Sequence, residues 1–203
     1  MAEGGVPKDE VPSETEGKVF PVECDPLKHV DIEELSSLEL VFARDLITYV
    51  MRRRIPIWDF GDRYGGPSPV TPFSYRVRNA VEHYLIKEDI NIYFLFARGF
   101  TGLPLNYHAF IVASSYIVDT VYPNVRSPND LLRLMALLAQ YTVLAYKRGI
   151  YMAPYYALIK IQDLLYSYIK QKGIRQNVFY ANLGIHAEAL IRETPLVPHE
   201  LLL

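Results

Sequence analysis

Apolar side chains recur at three- and four-residue steps through most of the chain and lose that rhythm at its two ends and in one internal stretch. Over residues 31–54 the series Leu35, Leu38, Phe42, Leu46 and Tyr49 marks one face of an α-helix. Asp31 followed by Glu34 has the form of a capping box, so a first helix is predicted from there to about Arg54, stopped by Pro56. Thr71 and Pro72 read as a cap followed by proline at the first helical position. They open an aromatic-rich helix that closes near Gly99, with Lys87, Glu88 and Asp89 marking a kink midway. A third helix is predicted between Pro104 and Pro123, and a fourth from the cap Ser127, with Pro128 next and Asp130 in its first turn. Lys147 and Arg148 before Gly149 close the fourth. Pro154 opens a fifth, which Lys170 and Lys172 before Gly173 close, cations meeting the negative helix end and glycine the residue beyond. Beyond Gly173 the rhythm weakens to a short helix over about residues 183–192 and a tail with Pro195 and Pro198.

The expected fold is therefore all-α, a helical bundle of four to five helices with an extended N-terminal arm. Residues 1–30, with Pro7, Pro12, Pro21 and Pro26 among acidic and small residues, form the arm. Residues 31–72 form an arginine-rich helix and a Gly/Pro loop, residues 73–180 the bundle, and residues 181–203 the short helix and tail. The loop over residues 58–72, WDFGDRYGGPSPVTP, is too rich in glycine and proline for a regular element. Two uncharged apolar windows, 103–118 and 134–146, fall short of the ~20 residues that cross a bilayer, so they read as core helices and no transmembrane segment is expected. The opening MAEGGVPKDE has neither a positive leader nor an apolar stretch, and no targeting peptide is expected.

Composition narrows the chemistry. Half of the 203 residues are apolar and 16 are tyrosine, enough for a core and for further surface buried against partners. A net charge of −2 argues against the uniformly basic surface of a simple nucleic-acid binder. Cys24 is the single cysteine, which removes disulfides within the chain, cysteine zinc sites and two-cysteine redox motifs. His29, His83, His108, His186 and His199 form no pair at helical ligand spacing, so no metal site is expected. Glycines 61, 65, 66, 99 and 102 match neither a dinucleotide fingerprint nor a phosphate-binding loop, and no cofactor is expected. Glu82 beside His83, and Ser114 with Ser115, supply no nucleophile with an identifiable base. No catalytic residue is assigned, and neither an enzyme nor a small-molecule substrate is expected.

Charge is unevenly placed. Residues 1–30 hold seven acids and three lysines, whereas residues 44–78 hold seven arginines, three acids and no lysine. Arg44, Arg52, Arg53, Arg54, Arg63, Arg76 and Arg78 are the candidate nucleic-acid-binding residues. Guanidinium forks match phosphate oxygens two at a time, and three consecutive arginines at a helix end fan around its axis, which suits a grip on a phosphate backbone. Arg76 and Arg78 fall near a helix N-terminus, where the dipole disfavours cations unless an anion lies close; a phosphate beside residues 71–74 would remove the conflict. The alternative is ordinary ion pairing with Asp45, Asp59, Asp62 and the acidic arm. Tyr49, Trp58, Phe60, Tyr64, Phe73 and Tyr75 in the same segment serve either to stack on bases or, with more weight, to pack a core or an interface.

An N-terminal arm, an arginine-loaded first helix, a proline-glycine loop and a tyrosine-rich bundle together resemble the major capsid proteins of filamentous and rod-shaped archaeal viruses. The likeness lies in element order and composition and not in a signature motif. It implies paired similar subunits, copies of this chain with or without a related second coat protein, that wrap double-stranded DNA in the A form and stack their bundles into a filament wall. On that resemblance residues 31–78 face the DNA, and the protein resides in the virion and, before assembly, in the host cytoplasm. The arginines would then neutralise phosphates without reading sequence. The acidic arm departs from a simple DNA-wrapping extension; running over neighbouring subunits would reconcile it. Abundant tyrosine and apolar helices suit a hot, crowded assembly. The rival reading is a helical adaptor or regulator whose acidic arm binds a basic protein partner.

Overall fold

A computed structural model describes residues 37–61 and 71–193. Among these residues there are six α-helices, one short 3-10 turn and no strand: α1 Leu38–Arg52, α2 Tyr75–Gly99, α3 Tyr107–Val121, α4 Pro128–Tyr146, α5 Ala153–Lys172 and α6 Gln176–Glu193, with the 3-10 turn Tyr122–Asn124 between α3 and α4. The all-α bundle stands, with more helices than the four to five expected. The acidic N-terminal residues, the Asp31–Glu34 cap, Arg63, Tyr64 and the C-terminal tail lie outside the described residues.

Local chemistry explains most boundaries. Ser37, in extended backbone, accepts a hydrogen bond from the Leu40 amide at 3.2 Å and caps α1. This boundary lies six residues after the cap expected at Asp31. The cap of α2 is Ser74 and not Thr71, which instead accepts from the Phe73 amide at 3.1 Å. α2 then runs as continuous helix through residues 87–89 to Gly99. Asn106, two residues past Pro104, caps α3 by accepting from the Ala109 amide at 2.9 Å. α4 begins as its sequence predicts, in a reciprocal capping box of Ser127 and Asp130 with Pro128 at the first helical position. Gly173 closes α5 in the left-handed region at φ +61°, and the Ile174 amide returns to the Ile169 carbonyl at 3.2 Å.

The sixth helix is the largest departure. A short helix over 183–192 was expected, whereas α6 begins at Gln176 and spans 18 residues. Its buried face is Phe179, Leu183, Ala187 and Leu190, a sound stripe obscured in the sequence by the exposed apolar residues Val178 and Ile185 and by Gly184 in mid-helix. A Cβ at Gly184 would meet Arg76 Cδ of α2 at 3.5 Å, an ordinary van der Waals contact, so packing does not demand glycine there.

α4 is the axis of the bundle. It packs against α1, α2, α3, α5 and α6, and it is buried on almost every side, which is why its sequence is apolar all round. α1 lies on α4 and α5, and α2 on α4 and α6. The segment after α1 is tied down by Trp58 and Phe60, both buried, through ring contacts to Tyr146 and Tyr155 at 6.3 and 5.6 Å. Phe73 fixes the entry to α2 against Phe42 at 5.4 Å and Tyr49 at 5.8 Å. Among the described residues no helix is long and apolar enough to cross a membrane.

Candidate functional site

The packing of α1 on the bundle sends the arginines of the cluster in different directions. Arg44 is buried and pairs with its neighbour Asp45 at 3.1 Å, so its role is structural. Arg54 reaches Asp89 of α2 at 3.2 Å, and Arg76 reaches Glu188 of α6 at 3.0 Å. Arg63 lies outside the described residues.

The remaining three converge. Arg52 and Arg53 from the end of α1, and Arg78 from the first turns of α2, line one open cleft of about 420 Å³ together with Thr48, Tyr49, Thr71 and Asp45. Arg52 Nε donates to the Trp58 carbonyl at 2.9 Å, which holds the side chain alongside the buried tryptophan. Arg53 pairs with Glu82 at 3.3 Å. Arg78 Nε donates to the Phe73 carbonyl at 3.3 Å and its guanidinium sits 5.6 Å from the Phe73 ring centre. Each guanidinium is thus oriented by a neighbouring residue and retains donors for a further acceptor.

Thr71 bears directly on the sequence expectation, since an anion near residues 71–74 was the arrangement that would reconcile Arg78 with its helix N-terminus. Two threonine hydroxyls and three arginines form a donor-rich concavity suited to an oxyanion. Acidic charge opposes it only in part. Asp45 is engaged by Arg44, and Glu82 takes a 2.8 Å hydrogen bond from the Tyr49 hydroxyl besides its pair with Arg53. Burial, then the bond to Glu82, pushes the Tyr49 phenol up to about 12, so Tyr49 is a neutral donor across the physiological range.

Sequence reasoning named the arginines and an anion position beside Thr71, but missed Thr48 and the acids that tether Arg53, Arg54 and Arg76. Glu82, Asp89 and Glu188 are distant along the chain, whereas the partners foreseen were Asp45, Asp59, Asp62 and the acidic arm, the last outside the described residues. Of those, Asp45 holds Arg44, Asp59 accepts from the Gly61 amide at 2.8 Å, and Asp62 lies outside the described residues. The aromatic residues of the segment divide likewise: Trp58, Phe60 and Phe73 are buried, and Tyr75 is exposed.

A second cavity, of about 670 Å³, lies between the start of α1, α5 and the start of α6. Its buried Glu39 accepts from Gln176 Nε2 at both carboxylate oxygens, 2.7 and 2.6 Å. No group of His, Cys, Asp and Glu suited to a metal ion occurs among the described residues. Comparison with protein-family models, curated proteins and solved structures finds no match to this chain.

Proposed function

We propose that this chain is a structural virion subunit that packages double-stranded DNA without sequence specificity into a helical filament. The observation that carries the reading is the convergence of Arg52, Arg53 and Arg78 from two helices on one cleft beside Thr71. Such a cleft offers guanidinium forks and hydroxyls to a phosphate, contacts that position a nucleic-acid backbone without reading its sequence. Repeated along a filament, shallow cationic clefts neutralise successive phosphates and release counterions, while apolar surfaces between subunits supply cooperativity. The assembly consists of copies of this chain, with or without a related second coat protein. The architectural likeness to capsid proteins of filamentous and rod-shaped archaeal viruses supports the same reading.

A second reading, a helical adaptor whose acidic N-terminal segment binds a protein partner, draws on the ion pairs of Arg53, Arg54 and Arg76 with the fold's own acids. Salt-titrated binding of random-sequence duplex DNA, with negative-stain imaging of the products, separates the two. Filaments and a logarithmic salt slope of roughly 0.9 per neutralised phosphate support packaging. A discrete particle indifferent to DNA at low salt sinks it and favours the adaptor.

A further inference from the structure

α2 has two apolar faces, and the bundle uses one. Val77, Val81, Leu85, Ile92 and Phe96 are buried against α4 and α6. Around the helix from them, Ile86, Ile90, Tyr93, Phe94 and Ala97 follow at steps of four, three, one and three residues, a continuous stripe on the outer surface. Ile90 is 70% exposed and Phe94 65%. A second apolar stripe on a helix already packed by its first marks an interaction surface. Beside it, Ile90, Tyr93 and Phe94 form one wall of a groove of about 340 Å³ whose other wall is Val143 and Leu144 of α4.

Cations border the stripe on both sides. Lys147 lines the groove, and Arg148 stands 5.7 Å from the Tyr93 ring centre. Lys87 and Arg98, eleven residues apart and so on one side of the helix, border the opposite edge. Lys87, Arg98 and Lys147 form no ion pair among the described residues. The acid within the groove, Asp89, is already held by Arg54 at 3.2 Å and by Gln140 at 3.0 Å. An apolar floor with positive edges fits a short segment that carries apolar anchors and acids.

This chain contains such a segment: residues 19–25, VFPVECD, place Val19, Phe20 and Val22 beside Glu23 and Asp25, within the acidic first thirty residues. We propose that the α2 stripe and its groove receive residues 19–25 of a second copy of this chain. The structural-subunit reading, and not chain length, selects a neighbour: the twelve steps from Asp25 to Ser37 span up to about 40 Å, enough to reach the groove within one copy as well, and the mass measurement below decides between the two. The N-terminal segment joins the fold at Ser37, whereas Arg54, at the groove, lies beyond the far end of α1, a helix of 15 residues and about 22 Å. Donor and acceptor surfaces are therefore different and separated, the condition for a head-to-tail contact that propagates into an open polymer. The inference deepens the structural-subunit reading by naming a contact between subunits, and it does not depend on DNA being the cargo.

The test uses the full chain, with and without random-sequence duplex DNA, and follows mass by light scattering over a concentration series. Two double variants are compared with it: Ile90→Glu with Phe94→Glu on the acceptor, and Phe20→Glu with Val22→Glu on the donor. Circular dichroism verifies folding, and Tyr93→Ser is the milder acceptor variant should the first unfold. The native chain should polymerise, each variant should need at least a tenfold higher concentration to do so, and an equimolar mixture of the two should stop at dimers, since each pair retains one intact donor and one intact groove. Donor variants that polymerise like the native chain would overturn the proposal in favour of stripe-to-stripe pairing. So would a native chain that stays monomeric in every condition, or one that stays monomeric yet binds vesicles of anionic phospholipid through the stripe. An unchanged DNA salt slope in variants that no longer polymerise would separate this contact from the phosphate cleft, and loss of the DNA reading would leave the mass measurements decisive on their own.

Discussion

The hydroxyl of Tyr141 stands where a side chain on Gly99 would begin. A Cβ on Gly99 would lie 2.5 Å from Tyr141 Oη but 3.8 Å from its Cζ, so the oxygen alone forbids the substituent. The oxygen is buried without a hydrogen-bond partner, and the ring is held by Phe96, Phe100 and Phe110 at 4.8, 6.2 and 6.0 Å. Gly99→Ala should therefore destabilise by about 1–3 kcal/mol through overpacking. Tyr141→Phe, which removes an unpaired buried hydroxyl, should be neutral or stabilising. In the double variant the alanine gains room, and chemical denaturation should show a coupling of at least about 1 kcal/mol between the two sites. Additive effects would mean that the hydroxyl is not what excludes the side chain.

The start of α4 gives a prediction with a pH signature. Burial pushes the Asp130 carboxyl up, but hydrogen bonds from Ser127 and the Arg126 amide, with the charge of Arg133, hold it below its usual range. A depressed carboxylate stabilises the fold above its unfolded value of 3.8, and that contribution fades as pH falls through the folded value. Ser127→Ala should cost about 1 kcal/mol near neutrality. The difference from the native chain should narrow below about pH 4, read from thermal unfolding at a series of pH values.

How far the sequence disclosed the fold depended on whether the deciding chemistry was local. Ser127, Pro128 and Asp130 lie within four residues, and α4 begins where they place it. The cap of α2, read from the sequence as Thr71, is Ser74, which follows a Phe73 buried against Phe42 and Tyr49, a tertiary fact. α6 was underestimated because Gly184 and the exposed Val178 and Ile185 obscure its stripe, whereas the bundle buries Phe179, Leu183, Ala187 and Leu190 on one face. The arginine cluster was legible as a composition but not as a place. A helical wheel gives the direction of Arg52, Arg53 and Arg54; only the position of α2 determines that Arg53 meets Glu82 and Arg54 meets Asp89.

Buried phenols predict the alkaline limit of the fold. Burial pushes Tyr141 up to about 12, and burial with the nearby Glu88 does the same for Tyr84. A group whose folded value is raised stabilises fully below its unfolded value of 10.0, and this stability is lost as pH climbs toward the folded value. Unfolding should therefore set in between about pH 10 and 12. Tyrosinate absorbance should rise in two phases, the second coinciding with loss of helical circular dichroism. Tyr141→Phe should move that second phase to higher pH; a single phase centred near 10 would show that these phenols are not protected.

The arginines divide into a set that should affect DNA and a set that should not, and the acid opposing the cleft sharpens the distinction. Arg52→Ala and Arg78→Ala should each lower the logarithmic salt slope of duplex binding by roughly 0.9, since each removes one guanidinium from the cleft. Arg76→Ala should leave the slope unchanged, because Arg76 is spent on Glu188. Arg44→Ala should reduce stability by about 1–3 kcal/mol without altering the slope of the folded fraction. Glu82→Gln should do the reverse of the cleft substitutions. It frees Arg53 from a pair with a half-exposed carboxylate, costs no more than about 1 kcal/mol of stability and should strengthen DNA binding at every salt concentration. Binding titrations of these five variants at three or more salt concentrations discriminate between the readings. If Glu82→Gln leaves affinity unchanged while Arg76→Ala weakens it, the phosphates are held by the α2–α6 side of the bundle and the cleft beside Thr71 is not the grip.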